Sequence, residues 1–236
     1  MPHDFLSLDE LAAQLGRDRR EIEKLVQRGR IPGRRVEGVW RFHPAEIRTW
    51  LEQEMRDYTT EELAAVEESQ RSDGAAATSP LEGLLTPDTV QVPLEARTRR
   101  SVIESLLEVA GRTWQVWEPS ALLAAILERE EAMSTAFDNG VAIPHPRHPL
   151  PQALGASIVA FGRTFSGIPF GAPGRGLTDV FFLVLSRDSK THLAVLARLG
   201  RLLQVAGFLE NLRNAPDSAA SFEVISGADR ALDAGE

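Results

Sequence analysis

Two prolines enclose His145 in the stretch NGVAIPHPR, and they limit the backbone on both sides of its imidazole. A proline disfavours the helical conformation in the residue before it, so Ile143 and His145 are both expected to be extended. The Asn139-Gly140 pair just upstream is typical of a tight turn. We therefore predict that the apolar residues after the turn form a strand, which presents His145 at its end with little backbone freedom.

Length and composition favour a cytoplasmic protein of two domains. A chain of 236 residues, 43% of them hydrophobic, can bury at least one core and is long enough for two. Apolar runs such as residues 180–185 are far too short to cross a bilayer, so no membrane insertion is expected. The N-terminus lacks the basic start and apolar stretch of a signal peptide. Because the chain has no cysteine, disulfides, thiolate catalysis and cysteine zinc sites are excluded.

Charge is distributed unevenly along the chain. The net charge is −8, which argues against a protein that does nothing but bind nucleic acid. Residues 17–41, however, hold nine Lys/Arg residues against four Asp/Glu residues. An acidic chain with one basic window suggests two parts that have different partners.

The first part has the pattern of three helices and a hairpin. Ser7 and Glu10 have capping-box spacing at the start of the first helix, and Gly16 is expected to end it. The second helix lies in RDRREIEKLVQRG and is strongly basic. The residues RRVEGVWRFH predict a two-stranded hairpin that turns at Glu37-Gly38, and Pro44 occupies the first turn of a third helix.

This order of elements, over about residues 5–55, resembles the excisionase and MerR-type winged helix-turn-helix family. The resemblance implies that residues 1–57 form a DNA-binding domain, with the second helix in the major groove and the hairpin on neighbouring phosphates. The alternative is that the basic side chains form solvated faces beside nearby acidic residues; the order of elements favours DNA. The candidate DNA-binding residues are Arg17, Arg19, Arg20, Lys24, Arg34, Arg35 and Arg41.

Residues 58–80 are expected to be a linker, and residues 81–236 a second domain. In the linker, TTEELAAVEESQ could extend as a polar helix, whereas RSDGAAATSP has the composition of a flexible connector. Helical patterns and buried-strand candidates such as GASIVAFG and LTDVFFLVLS alternate in the second domain. This alternation predicts an α/β sandwich. The helix SKTHLAVLARLGRLLQ is expected to bury a stripe formed by Leu193, Leu196, Leu199 and Leu203.

The chemistry of His145 is best interpreted together with His192. Imidazole is nucleophilic and largely neutral near pH 7. His192 lies at the expected start of a helix, just after the possible caps Asp188 and Ser189, and helix N-termini favour anions. A nucleophilic imidazole that faces such a site suggests phosphoryl transfer through phosphohistidine. The alternative for His145 is an ordinary surface histidine in a proline-rich loop.

The motifs REEAMSTAFDNGVAIPHPR and THLAVLARLGRLL resemble enzyme IIA of the fructose/mannitol/nitrogen class of the bacterial phosphotransferase system. The resemblance covers about residues 84–233 and implies an α/β sandwich with a mixed sheet, in which His145 is phosphorylated by a phosphocarrier protein of the HPr type. It further implies that His192 hydrogen-bonds the phosphoryl oxygens, that Arg129 supplies positive charge and that Thr135 makes a lesser polar contact. The chain departs from the family where Pro146 replaces the usual glycine, which stiffens the loop.

A metal site is the remaining alternative at the histidines. Three histidines with an open position are a known metal arrangement, and His145, His148 and His192 would supply them. Because the sequence shows no acidic second shell that would orient the imidazoles, this alternative is disfavoured, and neither a metal nor a cofactor is expected. His148 is left without a role.

The two resemblances together predict a regulator in which phosphorylation of His145 alters DNA binding or a partner contact. Two other functions stay open at this point. The chain could be a transport component that hands phosphate to the IIB domain of a sugar permease, or a DNA-binding regulator whose IIA-like domain never turns over.

Overall fold

The structure is a computed structural model that describes residues 5–70 and 79–234. The expected flexible connector RSDGAAATSP lies outside the described residues, except for its last two positions. The contacts between residues divide the chain into two compact units. The first unit takes the described residues up to 70 together with Leu193–Gln204, and the second takes the described residues from 79 to 192 and from 205 onwards.

The first unit begins with the predicted helices and hairpin. Helix α1 has the predicted capping box, in which Ser7 and Glu10 bond each other's backbone, and Gly16 caps its end in the left-handed conformation. Asp18 caps α2 by accepting from two backbone N–H groups, and Pro44 opens α3. The elements are α1 (Leu8–Leu15), α2 (Arg19–Gln27), β1 (Arg34–Val36), β2 (Val39–Arg41), α3 (Pro44–Glu54) and α4 (Thr60–Gln70).

The hairpin turns where the sequence predicts. Strands β1 and β2 are antiparallel, and the two residues between them, Glu37 and Gly38, have φ angles of 50° and 83°. Positive φ at both central positions matches the right-handed twist of the flanking strands. Leu6 extends the hairpin by exchanging backbone hydrogen bonds of 2.9 and 3.0 Å with Phe42. The winged helix-turn-helix arrangement is therefore confirmed.

Helix α4 lies in the segment expected to be a linker, and it packs closely against α1. Leu63 and Val66 are each 1% exposed. The side chains of Ser69 and Gln70 donate to the carbonyl oxygen of Gln14 at 2.7 and 2.8 Å. A Cβ at Gly16 would lie 2.7 Å from the carbonyl oxygen of Ala65, so the close approach depends on glycine. The expected polar helix is thus present, but some of its polar side chains, such as those of Ser69 and Gln70, face protein.

The second unit contains a mixed sheet of four strands. The strand order is β3-β5-β6-β4, with β3 parallel to β5, β5 antiparallel to β6, and β4 parallel to β6. The expected α/β fold with a mixed sheet is confirmed. The strands are β3 (Val90–Gln91), β4 (Val141–Ala142), β5 (Ile158–Ile168) and β6 (Thr178–Leu185), and the helices are α5 (Arg99–Gly111), α6 (Pro119–Ala132), α8 (Phe208–Asn214) and α9 (Ser218–Ala234).

One hydrophobic core joins α5 and α6 to one side of this sheet. Leu106 of α5 and Ile126 of α6 belong to the same buried cluster as Phe181 and Leu183 of β6. Strand β6 is buried over nearly its whole length, which is typical of a central strand that is covered on both faces. Its continuous apolar sequence FFLVL therefore follows from its place in the sheet.

Helix α7 (Ser189–Gln204) differs from the amphipathic helix that the sequence predicts. Every residue from 193 to 199 is buried, including Arg198, whereas Leu203 of the expected stripe is partly exposed. A helix that is apolar and buried all round has no single inward face, so the leucine stripe marks only one of its buried faces. In residues 5–70 and 79–234 no single helix is long and apolar enough to span a membrane; α7 and α8 meet the criteria together but are bent by 87°.

Candidate functional site

His145 stands at the end of the strand that the proline pattern predicts. Strand β4 pairs with β6, and beyond it the carbonyl oxygen of Pro144 still accepts a hydrogen bond of 3.0 Å from the backbone of Val184. His145 itself is 4% exposed. The interpretation as an ordinary surface histidine is therefore wrong, because two prolines and the edge of the sheet hold this imidazole inside the protein.

The hydrogen bond that His145 makes determines which ring nitrogen is basic. Its Nδ1 lies 2.7 Å from the carbonyl oxygen of Ile143. A carbonyl oxygen can only accept, so Nδ1 carries the proton and donates it. In the neutral ring Nε2 then holds the lone pair, and Nε2 is the atom able to act as a nucleophile.

His192 lies beside His145, as the sequence reasoning requires. The centroids of the two rings are 5.0 Å apart, and the ring planes meet at 62°. His192 is buried in the first turn of α7, where its backbone N–H donates to the carbonyl oxygen of Asp188 at 3.2 Å. The carboxylate of Asp188 accepts from the backbone N–H of Thr191 at 2.8 Å and so caps the helix. The predicted cap is confirmed, and its carboxylate already uses part of the helix N-terminus.

An ion pair between Arg213 and Asp179, which no sequence pattern indicates, fixes the turn before β4. Arg213 binds both carboxylate oxygens of Asp179 at 2.8 and 2.9 Å and donates to the carbonyl oxygen of Asn139 at 2.7 Å. The hydrogen bonds that Arg213 donates to the Asp179 carboxylate raise the pKa of Arg213. Gly140, with a φ of 84°, leaves room for this guanidinium, since a Cβ there would lie 2.6 Å from it. Arg213 therefore fixes both residues of the Asn139-Gly140 turn, after which the chain continues into β4 and His145.

Arg129 and Thr135 are buried near the C-terminal end of α6. Arg129 donates to the carbonyl oxygen of Met133 at 2.6 Å, one turn later in the chain. Thr135 donates both its backbone N–H and its hydroxyl to the carboxylate of Glu130, which is 2% exposed. Glu130 is a residue that the sequence reasoning missed, although it adjoins Arg129 and lies five positions before Thr135. These bonds fix the segment that follows α6 and leads towards strand β4.

His148 and Pro146 differ sharply in environment. Pro146 is buried next to His145, whereas His148 is exposed. The two buried histidines, His145 and His192, form a pair in direct ring contact, and the exposed one lies outside that pair.

The first unit presents a basic face on helix α2. On α2, Ile22 and Val26 are buried, and the opposite face carries Arg20, Lys24 and Arg28 at intervals of four residues, all of them exposed. Side chains four apart on a helix lie above one another. They therefore form a cationic stripe along the helix that the resemblance places in the major groove.

The β1–β2 hairpin, which is the wing of this fold, adds three exposed arginines to this surface. Arg34 and Arg41 are register partners across the β1–β2 pair, and Arg35 lies opposite Trp40 with its guanidinium 5.9 Å from the indole ring. Arg34 also lies 3.5 Å from Glu46, but its side chain is 78% exposed. The guanidinium groups therefore remain accessible to phosphate oxygens.

Arg17 and Arg19 of the candidate DNA surface make shorter ion pairs than Arg34 does. Arg17 binds Glu62 of α4 at 2.6 Å and Glu21 at 3.1 Å, and its guanidinium lies 4.9 Å from the ring centre of Tyr58. Burial raises the pKa of the Tyr58 hydroxyl, while the Arg17 charge acts in the opposite direction. Arg19 binds Asp9 at 2.6 Å. Arg17 therefore ties α4 to the helix-turn-helix, and the wing and the α2 stripe present the accessible charge.

Comparison with known proteins agrees with both parts of this description. Residues 5–55 match a helix-turn-helix domain family. A nitrogen regulatory protein of Pseudomonas aeruginosa is 26% identical over 147 residues, which cover 61% of this chain and 94% of that protein. The fructose-specific EIIABC component of Bacillus subtilis is 27% identical over 149 residues, 62% of this chain, but this chain spans only 23% of that longer protein.

The same fold occurs in a solved structure. The crystal structure of the nitrogen regulatory protein IIA-Ntr from Neisseria meningitidis superposes with a TM-score of 0.55, covering 62% of this chain and 99% of that one, at 22% identity. Residues 83–228 match the family described as phosphoenolpyruvate-dependent sugar phosphotransferase system, EIIA 2. This match spans more than half of the sequence, so the chain belongs to the EIIA type 2 family of the phosphotransferase system and carries an N-terminal helix-turn-helix domain.

Proposed function

We propose that this protein is a DNA-binding regulator whose IIA-type unit carries a phosphoryl group on His145. The observation that supports the proposal most strongly is the bond from Nδ1 of His145 to the carbonyl oxygen of Ile143. It leaves Nε2 as the nucleophile, in a buried imidazole whose ring is in contact with that of His192. The boundaries proposed for the two domains are residues 1–57 and 81–236, joined by residues 58–80.

The transfer step is a displacement at phosphorus. Nε2 of His145 attacks the phosphoryl group of an HPr-like phosphocarrier, the N–P bond of the donor histidine breaks, and a new bond forms between Nε2 and phosphorus. Nδ1 keeps its proton, and the donor imidazole, which is protonated on its other ring nitrogen, leaves as a neutral base with the electron pair of the broken N–P bond. His192 is assigned to the phosphoryl oxygens, because phosphoryl transfer is catalysed mostly by positioning and charge stabilisation. Arg129 and Thr135 are assigned supporting roles around this pair.

The experiment that tests the phosphocarrier proposal is incubation with phosphoenolpyruvate, enzyme I and the phosphocarrier, followed by mapping of acid-labile phosphate by mass spectrometry. One phosphoryl group on His145 is the expected product. Complete absence of label, with an established IIA protein labelled in the same mixture, contradicts the proposal.

A second candidate is a transport component that passes phosphate to a permease IIB domain. The similarity to the EIIABC component of Bacillus subtilis favours it, because that relative is by name a fructose-specific component of the phosphotransferase system. Adding a IIB domain to the phosphorylated protein separates the two candidates. Rapid discharge from His145 supports the transport function, and stable label supports the regulator.

DNA binding is proposed for the first unit from the charge of its surface. The α2 stripe and the wing arginines give a continuous set of exposed cations on a winged helix-turn-helix. In such folds the helix reads base edges and the wing contacts the backbone phosphates. The DNA sequence that the protein prefers then depends on the α2 side chains and on the shape of the DNA.

Replacing Arg34 and Arg35 together by alanine is expected to weaken DNA binding roughly 10-fold at moderate salt. Each lost phosphate contact also lowers the slope of log affinity against log salt by about 0.9. Fluorescence anisotropy with labelled duplexes, at several salt concentrations, measures both quantities. The weakening should be similar for every duplex sequence, because phosphate contacts carry no sequence information.

The matched control replaces Arg97 and Arg100, two exposed arginines of the second unit, by alanine. This variant has the same net charge as the wing variant and should keep the parental affinity and salt slope. Equal losses in both double variants would mean that overall charge, and not the wing, attracts the DNA.

A further inference from the structure

Helix α4 carries a carboxylate, that of Glu67, which is buried against helix α7 within the first unit. Glu67 is 1% exposed, and its Oε1 lies 3.3 Å from Nη1 of Arg198, a residue with no exposed surface. Its Oε2 lies 2.7 Å from Nη1 of Arg201. Glu67 therefore joins two arginines that lie three residues apart on α7.

The contact extends along α4 and along the C-terminal half of α7. At the opposite end of α4, the hydroxyl of Thr60 donates to the side-chain oxygen of Gln204 at 2.6 Å, and the amide of Gln204 donates to the carbonyl oxygen of Tyr58 at 2.8 Å. Between the two ends, Leu63 lies so close to Gly200 that a Cβ there would be 3.0 Å from it. Helix α4 thus holds α7 by polar bonds at both ends and by packing in the middle.

Removing a single partner from a buried ion pair leaves the other charge buried and uncompensated, and is strongly destabilising. Arg198 cannot turn towards water, because it is completely buried. The carboxylate of Glu67 therefore fixes the position of α7 relative to α4 more stringently than apolar packing alone.

The same helix begins at the candidate phosphorylation site. His192, in ring contact with His145, lies in the first turn of α7, and Arg198 follows six residues later. At 1.5 Å per residue the separation along the axis is about 9 Å. A displacement of the first turn is carried along this short, fully buried stretch of helix to the arginines that Glu67 holds.

We infer that Glu67 is the residue through which helix α4 senses phosphorylation of His145. The inference rests on the proposed function and names its regulatory path: His145, His192, helix α7, Glu67, helix α4. A phosphoryl group brings nearly two negative charges and strong acceptor oxygens to His145. These draw His192 and the first turn of α7 towards the phosphoryl group, and the buried ion pairs transmit the displacement to α4, which packs on α1 of the helix-turn-helix.

The experiment measures backbone amide hydrogen exchange of the full-length chain. His145 is phosphorylated chemically with phosphoramidate, which requires no donor protein, and the extent of modification is measured by mass spectrometry. We expect exchange in Thr60–Gln70 to accelerate about 5-fold or more on phosphorylation, the low end of common coupling strengths. In Glu67→Gln the acceleration in α4 should disappear, while the response around His145 remains.

Two further variants sharpen the result. Glu61→Gln removes an exposed carboxylate from the same helix and should respond like the parent. Arg201→Gln removes one arm of the contact, leaves Glu67 paired with Arg198, and should reduce the response partially; it serves if Glu67→Gln does not fold.

The inference is overturned if α4 does not respond in the phosphorylated parent, or if Arg201→Gln and Glu67→Gln respond as fully as Glu61→Gln. The proposed function fails in a different way. A protein that accepts phosphate from phosphoramidate but none from the phosphocarrier contradicts the assigned donor, while the exchange measurement still decides the role of Glu67.

Discussion

The variant His145→Ala is expected to lose all acid-labile phosphate in the reaction with phosphoenolpyruvate, enzyme I and the phosphocarrier. The reason is that His145 is the histidine whose neighbouring prolines and Nδ1 hydrogen bond fix both the direction of the ring and its basic nitrogen. Alanine supplies no nucleophile, so no N–P bond can form. Labelling with phosphoenolpyruvate carrying radioactive phosphorus measures the loss directly.

His148→Ala is the matched control for this variant. His148 lies three positions later, is exposed, and follows the same proline-rich segment. It should retain nearly the full label of the parent. Undiminished label in His145→Ala, or a loss that is confined to His148→Ala, would refute the assignment of His145 as acceptor.

His192→Ala is expected to slow phosphoryl transfer on the order of 100-fold without abolishing it, by analogy with the loss of one stabilising donor at other sites of charge development. The ring of His192 lies against that of His145 at the start of α7, so it is placed to meet the phosphoryl oxygens. Rapid-quench measurement of the transfer rate, with the final extent of labelling as an internal check, separates a slow acceptor from an absent one.

The conservative variant His192→Gln keeps a hydrogen-bond donor and should recover part of the lost rate. Arg129→Ala should also slow transfer, through the bond from Arg129 to the carbonyl oxygen of Met133 that orders the end of α6. Parental rates in both His192→Ala and Arg129→Ala would show that the site is not built around these groups.

Much of this structure could be predicted because its signals are local. The capping box of Ser7 and Glu10, the Glu37-Gly38 turn and the proline-enclosed His145 all involve residues within a few positions of one another. Local backbone preference and short-range hydrogen bonds determine such features, so a single sequence contains them. The position of His192 followed in the same way from a helix start.

The contacts that could not be predicted join residues far apart in the chain. Asp179 and Arg213 are 34 positions apart, and Glu67 and Arg198 are 131 positions apart. Charged residues are usually exposed, so no sequence pattern distinguishes these from solvated ones. Chain folding brings them together, and their pairing then makes burial tolerable.

Helix α4 illustrates the consequence for domain boundaries. Its sequence is polar, with Leu63 and Val66 as its large apolar residues, and that composition is typical of a connector. In the structure, however, α4 is not an exposed helix, because the polar residues Glu67 and Gln70 are buried against protein partners. A pattern of polar and apolar residues predicts that such polar residues face solvent, so it could not indicate this burial.

We propose that phosphate on His145 changes how the first unit binds DNA. The phosphoryl group adds nearly two negative charges to a chain whose positive charge is concentrated in residues 17–41. The Debye length is about 30 Å at 0.01 M salt and about 8 Å at 0.15 M, so a charge-based effect weakens as salt rises. We therefore expect phosphorylation to weaken DNA binding modestly, and more at low salt than at physiological salt.

The most direct measurement compares the DNA affinity of the phosphorylated and unphosphorylated full-length protein at these two salt concentrations, with His145→Ala carried through the same phosphorylation mixture. We expect a lower affinity for the phosphorylated parent, a larger difference at low salt, and no change in His145→Ala. Identical affinities of the two forms at both salt concentrations would contradict the proposal.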